Sequence, residues 1–437
     1  MGAKLLFVGD IHLGRRPSRL PADLRSRHGL SPSDLNPAAA WRHTVDLALR
    51  ERVDAVVLAG DVVEADNARF EAFGPLSAGA RRLVDAGIEL VAVAGNHDVE
   101  ALPLLAAQIP EVRLLGLEGR WELATIRREG EAVARVAGWS FPARLHGASP
   151  FASGPFPEPP EDDLPFLAVL HADLDAAGSR YAPVGRAELR AAGADAFFLG
   201  HVHAPSDLSG ECPVGYLGSL VGLDPGEFGP RGPWLVRHRS GALDIKQVPL
   251  APLRWERLTV PVGGLASAAE LELAVTSAIR GLDGRIERVG SAPSVVGCRI
   301  ELTGASSIHG ALARAVAGAR WEDLEYSGSG TLYFVEKVID SSRPALDLES
   351  LAAHDHPPGL LARRLLALLG RGPDAAAMIE EARRVLEPLA QDRRWAGIPL
   401  AELDEDRVRG LLIDEGYRAL EGLLEQAAGS GVAESAS

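Results

Sequence analysis

Five short apolar runs in the first half of the chain are each followed at once by a side chain able to bind a metal ion, and no other feature constrains the fold as much. The runs are Leu5–Val8, Ala55–Ala59, Leu90–Ala94, Phe166–Leu170 and Ala196–Leu199. After them come Asp10 and His12, then Asp61, then Asn96, His97 and Asp98, then His171, and last His201 and His203. Apolar runs of this length without polar alternation predict strands buried on both faces. Stretches of helical period between them, Ala38–Arg52 and Ala78–Ala86, predict helices that cover the sheet, so residues 4–250 read as α/β. In open α/β sheets the carboxyl ends of the strands meet in one crevice, so side chains as distant in sequence as Asp10 and His203 are expected to converge.

Each group alone is a weak signal. Gly95-Asn96-His97-Asp98 also fits an Asx-type turn, and His171 alone fits a hydrogen-bonded core histidine. A second His-x-His, His354-Asp355-His356, follows no strand and has no accompanying carboxylates, so it reads as a loop feature. Metal-type side chains after all five strands point instead to a metal-dependent site. Nitrogen and oxygen donors without a thiolate suit Mn²⁺, Fe²⁺ or Zn²⁺ and disfavour copper(I) or an iron–sulfur cluster. The two cysteines, Cys212 and Cys298, lack metal-ligand spacing, which predicts inert thiols in a reducing compartment.

The net charge of −15 argues against a nucleic-acid binder held by positive charge over its whole surface, while leaving room for a local basic groove. At 46% hydrophobic and 24% charged residues the chain is too apolar to be disordered. No apolar run approaches the ~18 residues of a membrane span, and the N-terminus lacks a signal-peptide pattern, so a soluble, cytoplasmic protein without a membrane partner is expected. The predicted organisation is an α/β domain at 1–250, a small α+β domain at 251–343, a helical region at 344–427 and a frayed tail at 428–437. Within the first domain, residues 142–165 hold seven prolines and read as an irregular surface loop.

The order and spacing of Gly9-Asp10-Ile11-His12, Gly60-Asp61, Gly95-Asn96-His97-Asp98, His171 and Gly200-His201-Val202-His203 resemble the signature set of the calcineurin-like metallophosphoesterases. A narrower resemblance, to the SbcD type of DNA-repair nuclease and its YhaO-like relatives, rests on Tyr181-Ala182-Pro183, Tyr216-Leu217-Gly218-Ser219, Glu227-Phe228-Gly229-Pro230-Arg231-Gly232 and Trp234-Leu235-Val236. The resemblance implies a four-layer αββα sandwich with a small α+β cap domain and a helical C-terminal region. It implies two divalent metal ions, Mn²⁺ preferred and Fe²⁺ or Zn²⁺ alternatives, with Asp10, His12, Asp61 and His203 around one. Asp61, Asn96, His171 and His201 surround the other, Asp61 bridging. His97 is implied as the catalytic group that stabilises the transition state and protonates the leaving oxygen, and Asp98 either orients His97 or caps the turn. Glu64 stands where the family commonly has aspartate.

The same resemblance implies a Mn²⁺-dependent exonuclease/endonuclease acting in double-strand-break repair with an SMC-like coiled-coil ATPase of the SbcC/YhaN type, with homodimerisation as a further assembly state. Arg15, Arg16 and Arg19, followed by Arg25 and Arg27 with Asp23 alone among them, read either as DNA-backbone contacts or as a solvated loop. Leu411, Leu412, Leu420 and Leu423 lie on an apolar face at helical spacing that also takes in Val408, Tyr417 and Leu424, and Leu361, Leu365, Leu366 and Leu369 form another. These faces serve either to dock the partner or to pack the helices on one another. Two other functional classes share the ligand set: a stand-alone phosphoesterase for nucleotides or other small phosphodiesters, and a non-catalytic scaffold.

Overall fold

A computed structural model of the chain describes residues 2–64, 69–159, 161–290, 292–391 and 404–434. From the N-terminus it runs β1 (Lys4–Val8), α1 (Leu24–His28), α2 (Pro37–Glu51), β2 (Ala55–Ala59), α3 (Arg69–Asp85), β3 (Glu89–Val93), α4 (Ala101–Ala106) and β4 (Val112–Leu114). There follow β5 (Trp121–Arg128), β6 (Glu131–Trp139), β7 (Phe166–His171), α5 (Arg186–Ala191), β8 (Ala196–Gly200), β9 (Val214–Tyr216), β10 (Trp234–Arg239) and β11 (Ala242–Gln247). These strands make two sheets, one of order β11-β10-β1-β2-β3-β4 and one of order β5-β6-β7-β8-β9.

The two-residue period of the strands builds the layers. Leu5, Phe7, Val57, Val91 and Val93 of the first sheet meet Ile126, Val136, Leu167, Val169 and Phe198 of the second in one buried core. Their neighbours Leu6, Val8, Val56, Leu58 and Leu90 point the other way, onto Trp41 and Val45 of α2 and Leu76 and Leu83 of α3. On the far side of the second sheet, Trp139, Leu170, Phe197 and Leu199 pack with Leu189 of α5 and with Phe151 and Phe156. The result is the expected four-layer α/β arrangement. The proline-rich stretch is irregular, but it is more than surface: Phe156 meets Trp121 edge-on at 4.7 Å between ring centres and covers the outer layer.

The five sequence-predicted strands do not share one sheet. β1, β2 and β3 pair in parallel in the first, while β7 and β8 pair in parallel in the second. Their carboxyl ends still meet, because the sheets press together there. Gly200 lies so close to β2 that a Cβ on it would come within 2.1 Å of the Ala59 carbonyl oxygen, so only glycine fits.

The following stretch contains β12 (Leu253–Pro261), α6 (Leu271–Val289), β13 (Val295–Ser306), α7 (His309–Gly318), β14 (Glu325–Ser327) and β15 (Leu332–Pro344), its strands in the order β12-β13-β15-β14. By compactness the chain divides otherwise than at 250 and 343. One unit takes Met1–Arg257, Ile279–Arg299 and Glu322–Lys337, and the other takes Leu258–Ala278, Ile300–Trp321 and Val338–Ser437. Strands β12, β13 and β15 are long enough to contribute to both.

The second unit ends in α8 (Leu348–Ala352), α9 (Pro357–Gly370), α10 (Pro373–Gln391) and α11 (Glu405–Glu434). Leu365, Tyr417 and Leu420 share one small core with Leu348, and Leu368, Ile379 and Val408 share another, with Leu412 partly buried against it. Leu420 is therefore core between helices and not a free docking residue, whereas Leu411 remains 45% exposed and Leu423 half-buried. The second histidine pair has a local structural role: the His356 ring accepts from the Gly359 N–H at 3.0 Å and caps α9. Helix α11 continues to Glu434, through most of the stretch expected to fray, and residues 435–437 lie outside the described residues. Among the described residues no helix is long and apolar enough to cross a membrane.

Candidate metal centre

The side chains at the five strand ends meet. Asp10, His12, Asp61 and His171 are buried, Asn96, His201 and His203 half-buried, and His97 exposed. The backbone bends sharply to bring them in. His12, Asp61 and His201 have φ of 54°, 47° and 100°, a region that side chains bearing a Cβ rarely occupy and that clusters at functional sites. Gly95 gives Asp61 its room, since a Cβ there would lie 2.2 Å from Asp61 Oδ1.

Donor atoms point at one another instead of at ordinary partners. His12 Nε2 and His203 Nε2 lie 3.0 Å apart. Asn96 Oδ1 is 3.1 Å from both His171 Nε2 and His201 Nδ1. Asp61 Oδ2 stands 3.4 Å from His171 Nε2 and 3.9 Å from His12 Nε2, between the two clusters. Asp10, His12 and His203 offer ligand atoms within 4.8 Å of one another, as do Asp10, Asp61 and His171. Among the described residues Asp10 Oδ2 is buried without a hydrogen-bond partner. Such an orphan oxygen and facing ring nitrogens are costly in a protein alone and are satisfied by cations.

The electrostatics agree. Burial would lower the pKa of His171, but Asp61 and Asp10 hold it up at about 9. Burial also opposes the charged form of His12, yet Glu64, Asp61 and Asp10 raise its pKa. Burial would raise the Asp61 carboxyl, but His171, His12 and His97 hold it well below the ordinary range. The carboxylates thus stabilise positive charge inside the site, the place a divalent ion takes when it displaces protons from its ligands. The residues present fit a divalent ion at two overlapping groups, Asp10, His12 and His203, and Asp10, Asp61 and His171.

Of the two roles left open for Asp98, the contacts are those of the turn and its backbone, with no hydrogen bond to the His97 ring among the described residues. Asp98 is fully buried and accepts from the backbone N–H groups of Val62 (2.6 Å), Val63 (3.2 Å) and Gly95 (2.8 Å), so it ties two ligand loops together. Burial and the nearby Asp61 push its pKa up to about 6. His97 is held instead by its Nδ1, 2.9 Å from the Glu64 carbonyl oxygen, while its N–H donates to Asp61 Oδ1 at 2.9 Å. The Arg cluster also faces more acid than Asp23 alone. Arg15 pairs with Asp224 at 2.6 Å, and Arg27 reaches Glu325 at 3.0 Å. Arg16, Arg19 and Arg25 are exposed and form no ion pair among the described residues.

Glu64 spans the extra methylene and places Oε2 2.8 Å from His12 Nδ1, close enough to pair with the ring when it is protonated. Three further residues escaped the reading of the sequence. Asp173 Oδ1 lies 3.2 Å from His201 Nε2, Glu227 Oε1 lies 2.8 Å from His203 Nδ1, and the Arg231 guanidinium donates to the His203 carbonyl. Glu227 and Arg231 belong to a quoted family segment, so their presence was visible but their target was not. Asp173 follows His171 by two residues, the one signal that marked it.

Comparison with known proteins fits this geometry. Residues 3–205 match the family model of the calcineurin-like phosphoesterases, and residues 255–343 match the middle domain of metallophosphoesterase YhaO. The chain is 29% identical over 231 residues to the uncharacterized metallophosphoesterase YhaO of Bacillus subtilis (strain 168), covering 51% of this chain and 55% of that protein. It is 28% identical over 280 residues to the DNA double-strand break repair protein Mre11 of Aeropyrum pernix, covering 60% of this chain and 64% of that one. The matches thus span less than two thirds of either relative. A solved dimetal phosphatase from Danio rerio aligns at 14% identity with a TM-score of 0.34, over 56% of this chain and 95% of that one. The chain therefore carries a calcineurin-like metallophosphoesterase domain at residues 3–205, followed by a middle domain of the YhaO kind at residues 255–343.

Proposed function

We propose that the chain is a metal-dependent phosphodiesterase whose substrate is DNA, acting as an exonuclease and endonuclease at broken ends together with an SMC-like ATPase. The observation that carries the hydrolytic reading is the double cluster of converging donors with Asp61 between them. When bound, two divalent ions supply Lewis acidity toward a phosphodiester and a nucleophilic water at neutral pH. We take Mn²⁺ as the working metal. The chain's own residues do the rest. His97 is the exposed member of the site, and with Nδ1–H donated to the Glu64 carbonyl, Nε2 of the doubly protonated ring is the group that hands a proton to the leaving oxygen and is left as the neutral imidazole. Asp98 holds the loops bearing Asp61 and His97 in register. DNA as substrate is supported by similarity to a double-strand break repair protein and by exposed Arg16, Arg19 and Arg25 after the first ligand loop, while the ATPase partner is carried over from the SbcD-type resemblance of the sequence alone. A cytoplasmic location follows from the same role.

One observation favours a second reading. Arg15 is neutralised by Asp224, which weakens the basic cluster and suits a small phosphodiester acted on without a partner. Mn²⁺- and Mg²⁺-supported hydrolysis of linear and hairpin DNA, measured beside bis-p-nitrophenyl phosphate, separates the two. Cleavage of both DNA forms with Mn²⁺ supports the nuclease, and turnover of the small ester alone replaces it with the second reading.

A further inference from the structure

The segment between β9 and β10 reaches back to the metal centre through a single carboxylate. Glu227 Oε1 meets His203 Nδ1 at 2.8 Å, while Oε2 accepts from Ser219 Oγ at 2.9 Å and from the Leu223 N–H at 3.1 Å. Both oxygens are thus engaged and the group has one orientation. The His203 carbonyl is gripped as well, by the Ser219 N–H at 3.0 Å and by Arg231, which is buried and also donates to the Phe228 carbonyl at 3.3 Å. Next to Glu227 the segment is fastened to β12: the Gly229 N–H donates to the Trp255 carbonyl at 2.8 Å, and the Trp255 indole donates to the Gly222 carbonyl at 3.1 Å. Arg257 and Arg299 lie over the Phe228 ring at 4.9 Å and 5.5 Å.

An ionised carboxylate can only accept, so the proton of a neutral His203 sits on Nδ1 and the Nε2 lone pair is left facing His12 Nε2, 3.0 Å away. We infer that Glu227 is a positioning residue that fixes the tautomer and orientation of His203 for metal binding, on an anchor supplied by strand β12. The inference rests on the metal-binding part of the function proposed above and extends it to a residue outside the matched phosphoesterase segment.

Glu227→Gln tests it with little change of shape. The amide keeps one oxygen for Ser219 and Leu223 but turns a donor toward His203 Nδ1, which favours the tautomer that protonates Nε2. Mn²⁺ binding, followed by electron paramagnetic resonance titration of the full chain, should weaken by about 10–100-fold at one of two sites, the usual effect of losing a ligand's supporting carboxylate. Nitrogen-15 spectra of the metal-free chain should show His203 Nε2 unprotonated in the parent and protonated in the variant. Glu227→Asp, again acceptor-only, should recover the parent tautomer and part of the affinity. Parent-like Mn²⁺ affinity and tautomer in Glu227→Gln overturn the inference, and so does an equal loss in both variants, which would mean that Glu227 acts by packing alone. A chain that binds Mn²⁺ with this dependence on Glu227 yet cleaves no phosphodiester removes the proposed function and leaves the inference standing.

Discussion

The strand ends of the first unit and the helices of the second both carry patterned side chains, but only the first pattern has a single meaning in sequence, whereas the second leaves partner docking and helix packing equally open. At the strand ends the pattern is chemical. Aspartate, asparagine and histidine in these positions have few reasons to be buried together except a shared cation, so Asp10, Asp61 and His171 assemble as expected. On the helices the pattern is one of polarity. An apolar stripe is the same in sequence whether it faces a partner or a sister helix, and Leu365 and Leu420 face each other's helices. Residue types that are expensive to bury identify their purpose, whereas residue types that bury cheaply do not.

The sharpest way to break this contrast is at its chemical end. Asp61→Ala should remove both metal binding and measurable turnover, because the residue stands between the two donor clusters; metal content by mass spectrometry beside hydrolysis checks both. His97→Ala should lower turnover by about 10²–10⁴-fold while metal content stays at the parent level. A His97→Ala protein with near-normal rate removes that assignment. At the helical end, Leu420→Ala should destabilise the second unit by about 2–5 kcal/mol in chemical denaturation, the cost of a cavity in a packed core. Leu411→Ala, at an exposed position on the same helix, should stay within about 0.5 kcal/mol. If the two leucines cost the same, the division between core and surface on α11 is wrong. The smallest effect concerns the arginines. Charge reversal of Arg16 and Arg19 should reduce the salt dependence of DNA binding by about one unit of slope per lost phosphate contact, and reversal of Arg15, already held by Asp224, should change it less.

The parts of the molecule that were legible are those where one residue type has one job. Ala55–Ala59, apolar throughout, is a central strand because both of its faces are covered. The β5–β6 hairpin went unread because its strands alternate and carry surface charges. Yet Glu129-Gly130 at its tip, with φ of 51° and 89°, is a turn signal that Arg127-Arg128 and Glu131 made look like an ordinary charged loop. Asp98 was legible as important but with two targets open, His97 and the turn, since sequence adjacency to His97 says nothing about which way a carboxylate turns; its partners are three backbone N–H groups, that of Gly95 in the turn among them. Glu227 had no spacing rule to expose it and Asp173 only its place two residues after His171, because a carboxylate that supports a ligand arrives from whichever loop is close by.

The left-handed backbone at His12, Asp61 and His201 carries a further consequence for the chain as material to be altered. Residues with a Cβ are held there at a conformational cost of order 1–3 kcal/mol each, which glycine does not bear. Asp61→Gly should therefore fold more firmly than Asp61→Ala although both lose the metal ligand. Selection for thermal resistance alone would drift toward glycine at these positions and dismantle the site, so His12, Asp61 and His201 mark where this fold gives up stability to hold its ligands in place.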